Sequence, residues 1–435
     1  MRVAPVVLAL LLVCSAVAGA GVAPTLQDDG ADAETTPPTD SRTVGVTAVT
    51  ANATNVSGQH RILSLPESNV SNARIDEARL DAGVAVDVDA GVAAERMETI
   101  ALRQRVEAAE TNDERQRRIL DGMNELEKRA VTLRSNQRTA ISAYAAGNID
   151  ARTLYVRLAR VQAEADALEH RLEVLTALAE DTEGTTIDGG RTAALKLQLR
   201  EFDGPVRQRA SGAIRGNEPP TRVYAAASRN SIVLTTVIDG EYVREVYRGD
   251  LRSLSSSTIP YNLQENITSR SYPEIWAESG SLDSTDSGGT AVIDVPFAAG
   301  HLTAFIDGGS ERVFKEHQRI HLANVSTGEV RERTIDLTLR VNRTYAGGPL
   351  RIEVLDPDTD EPVDAAIRIA TNGQGSTRIG ATGDDGVLWT VAPRGNFVVT
   401  AIDEDSDDLS TIELSSGTPL TVEDAYQPNA SDGVS

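Results

Sequence analysis

Ile119, Met123, Leu126, Ala130, Leu133, Gln137, Ala140 and Tyr144 stand alternately four and three residues apart. Past Gly147-Asn148 the alternation restarts, with Leu154, Leu158, Val161, Ala165, Leu168, Leu172, Leu175 and Ala179. Glu, Arg, Gln and Asp fill most positions between. Such spacing keeps one apolar seam along one side of each helix. Gly-Asn suits a helix stop in the left-handed region. So short a connection folds the second helix back antiparallel to the first. Ala130, Gln137, Ala140 and Ala165 are small or polar for seam positions. That favours close packing against a third helix over a free-standing coiled coil.

Working outward, Leu102, Val106 and Ala109 place a first helix over residues 92–110. Thr111-Asn112-Asp113-Glu114 then supplies a stop and a fresh N-cap with an acidic first turn. Residues 92–182 are therefore expected to form a helical hairpin or three-helix bundle. Helix resumes over 191–212, interrupted at Asp203-Gly204-Pro205, and then the period changes. Residues 222–228 and 231–248 are rich in Val, Ile, Tyr and Thr, with Asp239-Gly240 as a hairpin turn. This makes 186–278 an α+β segment. Residues 279–289 are polar and Gly-rich and read as a boundary. A β-domain is expected over 290–345, with a hairpin at Asp307-Gly308-Gly309-Ser310 and strands at 319–322 and 334–341. Residues 43–91 read as a short extended segment. Its strand-like runs are Val44-Gly45-Val46-Thr47 and Val84-Ala85-Val86-Asp87-Val88.

The chain has 435 residues, enough for two to four domains. Its formal net charge is −23, and only Lys128, Lys196 and Lys315 among its 42 basic residues are lysines. Acidic excess with few lysines resembles the proteins of salt-loving archaea, whose dense carboxylates keep them hydrated where salt screens charge to a few ångströms. A GC-rich genome alone would also favour Arg over Lys. No basic stripe with interleaved aromatics occurs, so nucleic acid is not an expected partner. Residues 1–20 read as a cleaved secretory signal: Arg2, an apolar run over 3–17, then Ala18-Gly19-Ala20. The only cysteine, Cys14, lies inside it, so the mature chain would hold no disulfide and no thiolate chemistry. No later apolar stretch reaches spanning length. Residues 21–42 form an acidic disordered linker and 421–435 a disordered tail.

Residues 346–420 carry a pattern of a known fold family. Glu361-Pro362-Val363-Asp364-Ala365-Ala366-Ile367, Thr382-Gly383-Asp384-Asp385-Gly386 and Pro393-Arg394-Gly395-Asn396-Phe397-Val398-Val399 each lead a turn into a strand. This resembles the prealbumin-like β-sandwich of carboxypeptidase regulatory-like domains, and the resemblance implies a non-catalytic accessory or adhesive module. The order of signal, acidic linker, helices and β-rich C-terminus is similar to uncharacterised haloarchaeal secreted proteins. Residues 55–89 and Val243-Arg244-Glu245 contribute to that likeness, which brings no activity with it.

Asn-x-Ser/Thr sequons occur at Asn52, Asn55, Asn69, Asn266, Asn324, Asn342 and Asn429. On an exported protein these are acceptors for N-glycans. Asp356, Asp358 and Asp360, and again Asp403, Asp405 and Asp407, offer alternate carboxylates of the kind that calcium loops use. Neither run has Gly sixth or Glu twelfth, so neither is an EF-hand, and acidic surface loops are the favoured reading. His317 and His321 would share a helix face but fall in a strand-like run, where four residues separate them by about 13 Å. No phosphate-binding loop, nucleophile elbow or dinucleotide fingerprint exists.

The expected fold class is α+β multidomain: a helical hairpin or three-helix bundle, an α+β segment and a C-terminal β-sandwich. The expected function is that of a non-enzymatic, exported envelope protein, without cofactor, catalytic residue or resident metal. Its partner would be an envelope protein or glycan, and the helices offer a surface for homo-oligomerisation. Calcium-dependent binding of carbohydrate or protein through the sandwich is one alternative; a secreted hydrolase using carboxylates is another.

Overall fold

A computed structural model describes residues 60–423, apart from 255–256, 326, 334–335 and 372–374. After strand β1 (Asn72–Ala78), Asp81 accepts from the backbone N–H of Gly83 and Val84 and starts helix α1 (Ala82–Glu107). The run Val84 to Val88, expected as strand, lies in this helix, and the helix expected over 92–110 begins ten residues earlier. The reason is local. The cap fixes the start, and Val88, Glu95, Thr99, Leu102 and Val106 then continue one buried stripe at helical spacing. Val44-Gly45-Val46-Thr47 lies outside the described residues.

Thr111 caps α2 (Asn112–Ala145) and Asp150 caps α3 (Ala151–Glu180). Every seam position named above is buried. Between the helices Gly147 takes φ 73°, and the N–H groups of Gly147 and Asn148 return to the carbonyls of Tyr144 and Ala143. Beyond the seam lie Leu102 and Val106 of α1, and Leu195 and Leu199 of α4 (Gly189–Arg200). Arg171 of α3, itself buried, ties α1 down by donating to Glu95 (2.8 Å) and Thr99 (3.1 Å). Helix α5 (Pro205–Arg215) starts at a proline and stops at Gly216, with φ 78°.

The chain then builds strands β2 (Thr221–Ser228), β3 (Ser231–Ile238) and β4 (Glu241–Arg248). Helices α6 (Tyr261–Ser271) and α7 (Pro273–Ser279) follow. Strands β5 (Asp283–Ser287), β6 (Thr290–Phe297), β7 (Gly300–Asp307) and β8 (Arg312–His321) complete one eight-stranded antiparallel sheet. Its order is β1-β2-β3-β4-β8-β7-β6-β5. The α+β segment and the β-domain expected on either side of 279–289 are thus halves of one sheet. The supposed boundary contains β5, which is polar because an edge strand faces water.

Both faces of this sheet are covered. Val223, Ala225, Ile232, Leu234 and Val243 pack against α2, α3 and α5. Tyr224, Ala226, Val233, Tyr242 and Val246 pack on the opposite face, with Ile267 and Tyr272 from α6 and its end and Ile275 from α7. Between β7 and β8 the register shifts at Phe305/Ile306, leaving Phe314 as an extra residue. Such a bulge turns consecutive side chains to one face, here Phe314 and Lys315 to the helices.

Strands β9 (Gly328–Arg333), β10 (Thr338–Arg343) and β11 (Pro349–Leu355) are joined by β12 (Ala366–Thr371) and β13 (Thr377–Ala381). Strands β14 (Val387–Val391), β15 (Asn396–Ile402) and β16 (Leu409–Ser415) follow. They form two four-stranded antiparallel sheets, β14-β11-β10-β9 and β13-β12-β15-β16, around a shared apolar core. The boundary expected between 345 and 346 therefore falls before Gly328, because β10 and β9 supply half of one sheet.

This β domain is joined to the central sheet at Gly347. Its carbonyl accepts from Thr235 (2.6 Å) and Tyr242 (2.9 Å). Its φ is 76°, and a Cβ there would sit 2.5 Å from the Tyr224 ring. Replacing Gly347 with alanine combines a left-handed backbone with a clash at the joint. Gly347→Ala is expected to cost roughly 2–4 kcal/mol in denaturant unfolding. An unchanged midpoint would contradict this account of the joint.

Candidate functional sites on the two faces of the sheet

Arg244 and Glu245 are neighbours on β4, so they point to opposite faces. Arg244 is 2% exposed and donates to Glu316 of β8 at 2.6 Å. Glu316 also accepts from the Leu63 N–H (2.6 Å) and the Tyr272 hydroxyl (2.7 Å). Burial pushes the Glu316 carboxyl up, against Arg244 and these two donors. On the other face Glu245, 1% exposed, accepts from Arg207 of α5 at 2.5 Å. Arg207 also donates to Gln137 of α2 (2.8 Å) and the Phe202 carbonyl (3.0 Å). These charges hold elements together, and Arg244 also lines a small cavity of about 30 Å³ with Tyr224, Tyr345 and Arg394.

A cavity of about 210 Å³ lies where β7 and β8 meet the α4–α5 turn, lined by Asp203, Gln208, His301, Thr303, His317 and Arg319 among others. Beneath it Lys315 donates to the carbonyls of Arg200 (3.0 Å), Glu201 (2.9 Å) and Asp203. Its ammonium thus caps the C-terminal end of α4, where such a charge suits the helix dipole. Burial pushes Lys315 down to about 7, with Arg207 adding to the shift and Glu245, Asp203 and Glu201 opposing it. Burial, then Lys315 and the nearby arginines, also drive His317 well below its usual range. Its ring is neutral near pH 7, and Nε2 is buried without a hydrogen-bond partner. His301 lies at the rim beside Asp294 (3.3 Å). Close by, burial alone would raise Asp307, but Ser253, the Ser310 N–H and Arg252 hold it down at about 2.

A larger cleft of about 350 Å³ runs between the β1–β2 edge of the sheet and the β domain. Arg222, Tyr224, Thr371, Thr377, Thr390 and Asn396 contribute to its walls. Arg222 is half-buried and donates to the Ile379 carbonyl at 2.5 Å. Burial lowers its pKa, and the nearest opposing influence is Glu77, its cross-strand neighbour. The cleft combines a desolvated guanidinium, hydroxyls, an amide and an aromatic ring. That set suits a polar ligand carrying negative charge.

The residues singled out by sequence are spread around these clefts. Asp356 accepts from the N–H of Asp358 and Thr359, and Asp403 from that of Asp405. Asp360 and Asp407 both take positive φ, at 55° and 60°. The repeated Asp-x-Asp-x-Asp is therefore one turn used twice. Asp358 and Asp360 also pair with Arg333, Arg331 and Arg340 of β9 and β10. Among the described residues, no group of three or more His, Cys, Asp or Glu is placed to hold a metal ion. His317 faces the smaller cavity, whereas His321 sits at the exposed end of β8 beside Glu241. Asn69, Asn266 and Asn324 are exposed; Asn342 is half-buried in β10, with its Thr344 buried. Asn52, Asn55 and Asn429 lie outside the described residues.

Sequence reasoning passed over Arg207, Arg222, Glu316 and Lys315. For Glu316 and Lys315 a signal existed: Tyr242-Val243-Arg244-Glu245-Val246-Tyr247 and Val313-Phe314-Lys315-Glu316 set charges directly beside large apolar residues of strand-like runs. A strand buried on both faces forces such charges to find partners.

Fold and clefts define a mixed α+β protein with a C-terminal fibronectin-III-like β domain. The chain belongs to the family described as Domain of unknown function (DUF7096), whose model matches residues 1–219, about half of its length. Residues 223–326 match a Family of unknown function (DUF7094), and residues 328–409 match an Archaeal fibronectin-III type-like domain. No curated protein matches the chain. The matches are those of an archaeal protein. The family matched over the β domain is fibronectin-III-like rather than the prealbumin-like one expected. The turn motifs behind that expectation mark strand ends in any antiparallel sandwich. No helix among the described residues is long and apolar enough to cross a membrane.

Lys315 yields a pH dependence. Its folded value is about 7 and its ordinary one 10.5. Between these the unfolded chain binds more protons, so stability rises with pH across that window and the gain is lost as pH falls through about 7. Unfolding free energies at pH 6.5 and 9.5 should show wild type gaining on Lys315→Met as pH rises. Parallel pH profiles would contradict the assignment.

Proposed function

We propose that this is an exported, non-enzymatic envelope protein of a halophilic archaeon, acting as a structural and interaction module. In this reading residues 1–20 are the export signal and 21–42 a spacer. The observation that carries the interaction role is the Arg222 cleft. There a half-buried guanidinium in a strongly acidic chain opens onto hydroxyl- and amide-lined space at the joint between two domains. Ligand sites concentrate at such joints. The partner is an anionic glycan or an acidic protein surface of the envelope. Asn69 supports the envelope setting, since its sequon is exposed on a single helical turn (Glu67–Asn69) and accessible to a glycan.

The described body also suits a module hung from a spacer. Ile62 pairs in parallel with Thr421, so the N-terminal and C-terminal ends of the body lie together. Leu63, Leu65 and Val422 at these ends pack with α6 and α7, on the sheet face opposite to α2, α3 and α5.

Binding of the mature chain to isolated envelopes, in molar salt, tests this reading. Saturable binding is expected, weakened about tenfold or more by Arg222→Ala while far-UV circular dichroism shows the variant still folded. Equal binding by the variant would sink the cleft, and absence of any binding would sink the interaction role.

A further inference from the structure

Helix α1 carries two seams. Val88, Glu95, Thr99, Leu102 and Val106 turn inward and are buried. On the opposite face Val86, Ala90, Ala93, Met97, Ile100 and Gln104 again alternate four and three apart. All six are exposed, Val86 by 70%, Met97 by 71% and Ile100 by 56%. A helix packed on one side needs only one such stripe. Among the described residues no helix packs against the second, which lies on the face of α1 turned away from α2 and α3. At 1.5 Å per residue the helix extends about 39 Å. Alanines at two seam positions and beside them, at Ala94 and Ala101, permit close approach of a partner helix.

We infer that this face binds α1 of a second copy, antiparallel, across a two-fold axis near Arg96. The charges beside the seam select this occupant and this direction. One flank carries Asp89, Arg96 and Arg103 at seven-residue spacing; the other carries Asp87, Ala94 and Ala101. In a parallel pair each flank meets the other one, so Asp89 and Arg96 would face alanines. In an antiparallel pair each flank meets its own reverse. Asp89 then lies against Arg103 of the second copy, twice over. Asp89 also pairs with Arg215 of α5, which leaves its second oxygen for Arg103. Arg96 falls beside its own copy at the axis. Molar salt screens this repulsion and the longer-range part of the Asp89–Arg103 attraction alike, so the apolar seam supplies the affinity and the contact pairs set the direction. The contact is isologous and closes at two copies. It differs from association through the hairpin seam, which α1 and α4 already cover.

Light scattering on the full chain, in molar salt and up to roughly 0.1 mM, tests the pairing independently of the Arg222 cleft. Wild type is expected to be a dimer. Met97→Glu with Ile100→Glu should weaken self-association by roughly a hundredfold or more and leave the far-UV circular dichroism unchanged, since both side chains are exposed. Val131→Glu, at an exposed apolar position on α2, should leave the dimer intact. A wild-type monomer throughout would overturn the proposal, as would a dimer that survives the double substitution. A wild-type monomer that co-floats with phosphatidylglycerol vesicles, and loses this with the double substitution, would assign the face to a membrane surface instead.

Discussion

Two adjacent residues on one strand, Arg244 and Glu245, hold opposite charges on opposite faces of a sheet that is covered on both sides. Neither can be solvated, so each needs a partner from the layer against it. Glu316, with Leu63 and Tyr272, meets Arg244; Arg207, with Gln137 behind it, meets Glu245. Removing one partner of such a pair typically costs about 3–5 kcal/mol, because a charge is left buried alone. A buried pair adds little net stability over apolar packing. What it enforces is placement. Helix α5, helix α2, the segment at 63 and the end of α6 must all be seated before these charges are satisfied. The layers on both faces are thereby coupled through a single strand.

The same logic extends outward. Lys315 reaches the helix face only because the bulge near Phe305 turns it there, and it binds the end of α4. Arg252 joins Glu201, at that end, to Asp307 of β7. The β domain is held through the Gly347 carbonyl by Thr235 and Tyr242. Family matches divide the chain near 220 and 327, but the contacts do not stop there. The eight-stranded sheet takes β1 from the first region and its other strands from the second. The cleft lined by Arg222 is a product of that interlocking, since its walls come from β1, β2 and the β domain.

Much of the helical layer was legible because its information is local. Heptad spacing, the Thr111 cap and a Gly-Asn stop each specify their own helix. The Asp239-Gly240 hairpin was legible for the same reason: both residues take positive φ, at 50° and 78°. What escaped were relations between distant segments. Nothing in Asp283-Ser284-Thr285-Asp286-Ser287 distinguishes a linker from an edge strand until β6 is beside it. Val84 to Val88 satisfies both a period of two and one of four, and Asp81 decides between them. The prealbumin-like expectation rested on turns, which report where strands end and not which strands pair. Arg222 was invisible because its meaning depends on a β domain more than a hundred residues away.

The central claim is that the sheet couples helices and β domain into one cooperative body. Equilibrium denaturation followed at once by far-UV circular dichroism and tryptophan fluorescence tests it most directly. The helices dominate the first signal, while Trp276 of α7 and Trp389 of β14 report the opposite face of the sheet and the β domain. The two curves should coincide within error, as one transition does for every probe. Helical signal lost at a clearly lower denaturant concentration than the tryptophan signal would contradict the account.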